Sequence, residues 1–346
     1  MRAGLIARAE DRGLGHITWA ASQALPWDRV AVIDYEPRNT AVPNHLDRYP
    51  DATRLWCDIW TTGRLDETAA RAWLDGLDVV YSAETLYDWR LADWARDAGV
   101  ATVVHGMPEY WRHAMNRRWP QPTRWWWPTP WRLDHLPAGP VVPIPVEAMA
   151  PMNRPADDGE LTVVHTLGHR CQHDRNGTNA LARALRRVSI DVTVRVYTQE
   201  RTLDLGPVPG NVNLRVHCGG VDDRFDMFAG AHLLMMPRRY GGLCLPVQEA
   251  MSVGVAASMP AITANGWWPV DLFDAAPLGQ LQMPGGVVET AGVRAEPIAA
   301  AIDRLGTDRA ELGALQDRAW EWGQANTWDA LADVWWSALD DATLPT

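Results

Sequence analysis

Lysine is absent from this chain. All 32 basic side chains are arginine, against 43 acidic ones, and the formal net charge is −11. An acidic body of this kind repels phosphate as a whole, which excludes indiscriminate binding to nucleic acid. Cysteine is scarce: Cys57, Cys171, Cys218 and Cys244 lie far apart. They form no disulfide framework, so a reducing cytoplasm is the expected setting. No apolar run approaches the roughly 20 residues that span a bilayer, so no transmembrane segment is expected. The opening MRAGLIARAEDRG has too short an apolar stretch for a signal peptide. Phenylalanine is nearly missing, with 3 against 20 tryptophans. Lys and Phe use AT-rich codons, so a GC-rich genome accounts for both shortages.

What is present is ordinary globular composition, 47% apolar and 22% charged, which excludes disorder and collagen. At 346 residues, two domains are expected from roughly 100–200 residues each. Short apolar strands at 4–7, 29–33, 78–82 and 100–105 alternate with helix-like spacing at 17–25, 65–77 and 86–98. That alternation predicts βαβ units around a parallel sheet. Residues 137–160 are proline-rich and aperiodic, the best linker. A second α/β series follows, with strands at 161–165, 192–197, 212–216, 232–236 and 254–258, and helices at 179–187 and 247–252. The tail, 308–339, reads as helical and carries five tryptophans. The expected division is 1–145, 160–310 and a helical 311–346 that crosses back to the first domain.

After the first strand, Asp11-Arg12-Gly13-Leu14-Gly15-His16 precedes a helix. Glycines at such a turn let backbone N–H groups approach a phosphate at a helix N-terminus. Asp34 stands about 20 residues on, where a ribose-binding acid would sit in a nicotinamide enzyme. Thr18 replaces the third glycine of that fingerprint. The dinucleotide reading and a ligand-free turn both stay open here.

A second stretch, PRRYGGLCLPVQEAMSVGVAAS over 237–258, is richer. A strand runs into Arg238-Arg239, a flexible Gly241-Gly242, and a helix near Pro246 with Glu249 one turn in. Arginines and free amides suit a diphosphate, and the carboxylate suits ribose hydroxyls.

This block resembles the nucleotide-sugar site of retaining GT-B glycosyltransferases, the family that includes cell-wall mannosyltransferases and sucrose synthase. The matching residues are Gly241, Gly242-Leu243-Cys244-Leu245-Pro246, Glu249-Ala250-Met251 and Gly254. The resemblance implies that Glu249 holds the donor ribose and that amides near Cys244 and Leu245 hold the diphosphate. Gly241 stands where the family has an acid that touches the donor sugar. VHTLGHRCQHDRNG, 164–177, resembles the segment whose two cations bind the diphosphate, here Arg170 and Arg175, with His169 beside them. By the same resemblance Val221 lies near the nucleobase, His105 faces the donor sugar, and the Gly13–Gly15 turn is the family's N-terminal glycine loop.

The run His165, His169, Cys171 and His173 raises zinc. No second ligand pair supports it, and no metal is expected. Glu84 and Glu109 each follow a strand end and are candidates to position an acceptor.

From Tyr110 to Leu133 the chain carries Arg112, Arg117, Arg118, Arg124 and Arg132 with no acid, +5 inside a −11 protein. Trp111, Trp119, Trp125, Trp126, Trp127 and Trp131 interleave with them. A phosphate track with stacking rings is one reading. Core tryptophans covered by arginine stems are a second, and a peripheral membrane face is a third. The order 79–84 then 107–109 also resembles bacteriophage glycosyltransferases that decorate hydroxylated bases in DNA.

The resemblance implies an α/β GT-B fold, two doubly wound Rossmann-like domains facing a cleft. The expected enzyme is a hexosyltransferase using a nucleotide-diphosphate sugar, UDP-glucose first. Retention by front-face attack is implied, with no cofactor or metal. The expected site is His105, Glu109 and Arg175 for catalysis, and Gly13, Gly15, His169, Arg170, Arg175, Val221, Arg239, Gly242, Cys244, Leu245 and Glu249 for the donor. Acceptor contacts are expected from Glu84, Arg112, Arg117, Arg118, Arg124, Trp125 and Trp127. The acceptor expected first is 5-hydroxymethylcytosine in double-stranded DNA. A glycan, lipid or small molecule is the alternative, and a nicotinamide oxidoreductase the competing class.

Overall fold

The computed structural model of the chain describes residues 1–36, 44–59, 63–111, 118–151, 159–168, 174–283 and 286–344. Two compact units emerge. Unit 1 comprises Met1–Pro145 and Trp328–Thr346, and unit 2 comprises Val146–Thr327.

Unit 1 is built on six parallel strands: β1 (Ala3–Ala7), β2 (Arg29–Asp34), β3 (Thr53–Trp56), β4 (Val79–Ala83), β5 (Ala101–His105) and β6 (Arg124–Trp126). Their spatial order is β3-β2-β1-β4-β5-β6. The central strands AGLIA, VVYSA and ATVVH are buried at every position. A strand covered on both faces requires that pattern. Helices α1 (Gly13–Ala24), α2 (Glu67–Leu74) and α3 (Leu91–Asp97) connect them. Asp66 caps α2 by accepting from the Ala69 N–H at 2.8 Å, as a helix N-cap should.

Unit 2 repeats the plan with β7 (Leu161–Gly168), β8 (Val192–Thr198), β9 (Val212–Cys218), β10 (Leu233–Met235), β11 (Ala256–Pro260) and β12 (Asp271–Phe273). The order is β12-β11-β10-β7-β8-β9. Helix α4 (Thr178–Ala184) and α6 (Ala295–Thr307) cover one face through Leu181, Leu185, Ile298 and Ile302. Helix α5 (Leu245–Ser252) covers the other with Phe225, Phe228, Val247 and Met251. A hairpin, β13 (Ala276–Met283) and β14 (Gly286–Gly292), is inserted before α6. Helix α7 (Arg309–Ala325) meets α5 at Gly323, where a Cβ would come within 2.6 Å of the Ser252 Cα.

The strand order reverses between β1 and β4 and again between β7 and β10. Ligands of doubly wound sheets bind beyond the carboxyl ends of the strands at such switch points.

The tail differs from a single crossing element. Helix α7 belongs to unit 2, and α8 (Trp328–Asp340) belongs to unit 1. The chain enters and leaves unit 2 on adjacent residues, where the Val146 N–H donates to the Asn326 carbonyl at 2.9 Å. Trp335 of α8 is fully buried, donates from Nε1 to the Pro143 carbonyl at 2.8 Å, and packs on Trp126, Tyr81 and Trp328. Strands β3, β6 and β12 and the hairpin were not expected. No described helix is long and apolar enough to cross a membrane.

Candidate functional site

The carboxyl end of β10 leads into the turn that precedes α5. Gly241 there has φ +122°, a left-handed conformation natural to glycine. A Cβ on it would lie 2.6 Å from Arg175 Nη2 and would also strike Arg238 Nη2. Two guanidiniums therefore occupy the space that a side chain at 241 would need. Arg238 is buried and donates from Nε to the Tyr240 carbonyl at 2.9 Å. The Arg175 guanidinium sits 5.2 Å from the Tyr240 ring centre. The two loops are tied together, since the Arg239 N–H donates to the Arg175 carbonyl at 2.8 Å. Gly177 is pressed against the Pro237 carbonyl so closely that a Cβ would clash.

The Gly241–Gly242 turn ends at α5. Cys244 is its buried N-cap and Leu245 its first residue, with Pro246 next. Pro246 has no N–H and the Val247 N–H donates to the Cys244 carbonyl at 3.1 Å, so the positive end of α5 is presented chiefly through the Leu245 amide, a place that favours an anion. Two cations and a helix N-terminus thus converge beyond the β7/β10 switch point.

Glu249 lies one turn into α5 and is 8% exposed. Arg224 holds it, Nε to Oε1 at 2.9 Å, and donates from Nη2 to Glu147 Oε1 at 2.6 Å. Burial pushes the Glu249 carboxyl above its usual range, and the Arg224 cation pulls the other way. His165, at the switch point itself, donates from Nδ1 to the Met235 carbonyl at 2.9 Å, and its Nε2 lies 2.8 Å from Thr178 Oγ1. Burial pushes its pKa down to about 4. It ties β7, β10 and α4 together as a neutral ring.

Some expected residues stand elsewhere. Arg239 donates from Nε to the Ala291 carbonyl of β14 at 3.0 Å, so its side chain runs to the hairpin. Its neighbour Arg238 takes the place beside Gly241. His169, Arg170, Cys171 and His173 lie outside the described residues, as do Arg112 and Arg117. Among the described residues no cluster of three or more His, Cys, Asp or Glu could hold a metal. Val221 is half-exposed in the loop after β9. Nearby, Tyr197 and His217 stack with ring centres 4.6 Å apart and planes at 10°, a platform that sequence reasoning missed.

In unit 1, Gly13 opens α1, and a Cβ on Gly15 would run into the Glu10 carbonyl. Close chain approach alone requires glycine there. Thr18, at the place of the third fingerprint glycine, accepts from the Arg8 N–H at 3.0 Å and donates to the Leu14 carbonyl at 3.0 Å. Asp34 ends β2 as expected. Sequence reasoning also missed Arg8. It is buried, pairs with Glu10 at 2.8 Å, donates to the Tyr35 hydroxyl at 2.9 Å, and lies 4.4 Å from the Tyr35 ring centre.

His105 has no exposed surface. It packs among Tyr81, Trp126 and Trp335, with Nδ1 3.2 Å from the Tyr81 hydroxyl. Burial pushes its pKa down to about 3. This is a core histidine rather than one that faces a donor sugar. Glu109 is buried in a one-turn 3-10 helix, Pro108–Tyr110. Trp125 and Trp127 are buried in the core, Trp126 points to the opposite face, and Arg118 and Arg124 are exposed. The tryptophans of this segment therefore pack, with arginines outside them, instead of lining an open track.

No protein-family model and no curated protein sequence matches the chain. Solved structures do. Sucrose-phosphate synthase from Thermosynechococcus elongatus is similar at TM-score 0.64 and 13% identity, covering 99% of this chain and 98% of that one. Anabaena HepE, solved with UDP and glucose, is similar at TM-score 0.66 and 12% identity, covering 99% and 100%. The lipopolysaccharide outer core galactosyltransferase WaaB is similar at TM-score 0.61 and 12% identity, covering 98% and 100%. The fold is GT-B. At these identities the likeness speaks for architecture, and the two sheets of GT-B order each carry their switch point where a site belongs.

Proposed function

We propose that this chain is a glycosyltransferase that moves a hexose from a nucleoside-diphosphate sugar to a hydroxyl acceptor, with retention and without a metal. The observation that carries the reading is the meeting of Arg175 and Arg238 over Gly241 at the N-terminus of α5. Paired guanidiniums and helix amides are the chemistry of a diphosphate site. Glu249 receives the ribose hydroxyls. A carboxylate has about four acceptor positions, so pairing with Arg224 leaves room for them. The Tyr197–His217 stack offers a flat surface near the Val221 loop to the base. Arg170 and His169 remain donor candidates on the sequence resemblance alone.

In this reading the leaving diphosphate takes the acceptor proton as the acceptor oxygen attacks from the same face. Arg175 and Arg238 stabilise the charge that develops on the leaving oxygen, the term that dominates sites of this kind. Glu109 and Glu84 serve the acceptor, and His105 supports the fold. UDP-glucose is the first donor to test, because HepE was solved with UDP and with UDP-glucose.

The DNA acceptor keeps Arg118 and Arg124, both exposed, but the buried Trp125 and Trp127 do not serve it as stacking rings. The oxidoreductase alternative loses ground because Thr18 ties β1 to α1 where the dinucleotide fingerprint wants glycine. The test is to incubate the protein with UDP-glucose, with hydroxymethylcytosine DNA, plain DNA or simple glycosides, and to weigh the products. A product heavier by one hexose supports the reading, and consumption of NAD in place of UDP-glucose overturns it.

A further inference from the structure

The Glu249 carboxylate is held by a chain of two residues that lie outside α5. Arg224 opens a short 3-10 turn, Arg224–Phe228, and its N-cap Asp223 accepts from the Phe225 N–H at 2.9 Å. Phe225 is buried, and the Arg224 guanidinium lies 4.8 Å from its ring centre. From that platform Nε reaches Glu249 at 2.9 Å and Nη2 reaches Glu147 at 2.6 Å. Glu147 is anchored in turn, because the Val146 N–H beside it donates to the Asn326 carbonyl. All of these residues belong to unit 2.

The chain controls two properties of Glu249. The first is charge. Burial drives the carboxyl toward its neutral acid, Arg224 opposes that, and Glu147 adds to the drive. The neutral acid carries a proton on one oxygen, whereas the carboxylate offers acceptor positions only. Ribose hydroxyls bring hydrogens, so the ionised form holds them better. The second property is aim. The terminal torsion of a glutamate is broad, and the bond from Nε narrows it.

We infer that Arg224 and Glu147 are positioning residues that aim the Glu249 carboxylate at a ribose diol, and that they make the site selective for ribonucleoside over deoxyribonucleoside diphosphates. The inference rests on the reading of Glu249 as the ribose contact. Arg224 acts through Glu249, and Glu147 acts through Arg224. A deoxy sugar leaves one acceptor position of the carboxylate without its hydrogen, in a place enclosed by protein.

The test is calorimetric titration of UDP, 2′-deoxy-UDP and 3′-deoxy-UDP into the wild type, Arg224→Gln, Arg224→Lys, Glu147→Ala and Glu147→Gln. The readout is the affinity for UDP divided by that for the weaker deoxy form. The wild type is expected to favour UDP ~10-fold or more, the loss of one hydrogen bond to a charged group. Arg224→Gln is expected to cut that preference to ~3-fold or less. Arg224→Lys keeps the cation without the fork and should restore part of it. Glu147→Ala should lower the preference by less than Arg224→Gln, since the Nε bond remains. Glu147→Gln should hold it at the wild-type level, because its amide oxygen accepts the same hydrogen. Far-UV circular dichroism verifies each fold, and if Arg224→Gln does not fold, Arg224→Lys and the two Glu147 variants decide. A wild type that binds UDP and both deoxy forms equally overturns the inference and leaves the diphosphate site standing. A preference that Arg224→Gln and Glu147→Ala leave unchanged also overturns it, because a merely structural role weakens every nucleotide by the same factor. A folded wild type that binds no UDP overturns the donor-site reading and the inference with it.

Discussion

Arg175 and Arg238 reach the same point, the space above the Cα of Gly241. Glycine at 241 is thereby explained twice, by its φ of +122° and by the two guanidiniums that would collide with any larger residue. The family pattern places an acid at this position. Here the acid's volume is filled by the Arg175 and Arg238 guanidiniums, chemistry that suits an anion.

Gly241→Ala is therefore expected to displace one guanidinium and to strain the turn by about 1–2 kcal/mol. Affinity for UDP should fall ~10-fold or more while far-UV circular dichroism stays unchanged. Titration of UDP into the variant checks it.

In the proposed function Glu249 receives the ribose hydroxyls, so Glu249→Ala removes that acceptor while Arg224 keeps its bond to Glu147. Loss of a charged hydrogen-bond partner costs about 1.5–3 kcal/mol, so UDP should bind ~10- to 100-fold more weakly. Arg224→Met should also lower stability, because it leaves the Glu249 carboxylate buried without its cation. Denaturant titration reads that loss.

The histidines set the response to acid. Burial holds the pKa of His165 down to about 4 and that of His105 down to about 3, both below the ordinary value of 6.5. Between 6.5 and those values the unfolded chain binds protons that the native one does not. Stability is therefore full above about pH 6.5 and falls as the pH drops toward 4. Tm measured across that window should decline, and His105→Leu should make the decline shallower.

Trp335→Ala tests the attachment of α8. It empties a fully buried indole site and removes the bond to the Pro143 carbonyl. Large-to-small changes of this kind cost about 3–5 kcal/mol. The chemical denaturation midpoint of the whole chain should drop, with near-UV dichroism of the tryptophan cluster reduced before UDP binding is lost.

Much of the fold is legible in local pattern. AGLIA, VVYSA and ATVVH read as buried strands because they are apolar at every position. β3, TRLW, buries one residue in four, and its polarity disguised it. β6 is three residues inside an Arg–Trp run, where composition suggested a surface. There the tryptophans alternate between faces of the sheet, which shows only once β6 is paired with β5. Glu249 and the glycine turn were legible because strand, turn and helix start follow each other within one block. Arg224 and Glu147 were not, because they reach Glu249 from 25 and 102 residues away in sequence. Arg238 and Arg239 are adjacent, and only the unforeseen hairpin decides which one turns away.

The most direct measurement is calorimetric titration of UDP, in EDTA, into the wild-type protein and into Arg175→Ala. The account predicts saturable binding to the wild type that falls ~10-fold or more in the variant. Absence of UDP binding to a folded wild-type protein, or binding that Arg175→Ala leaves untouched, would contradict it.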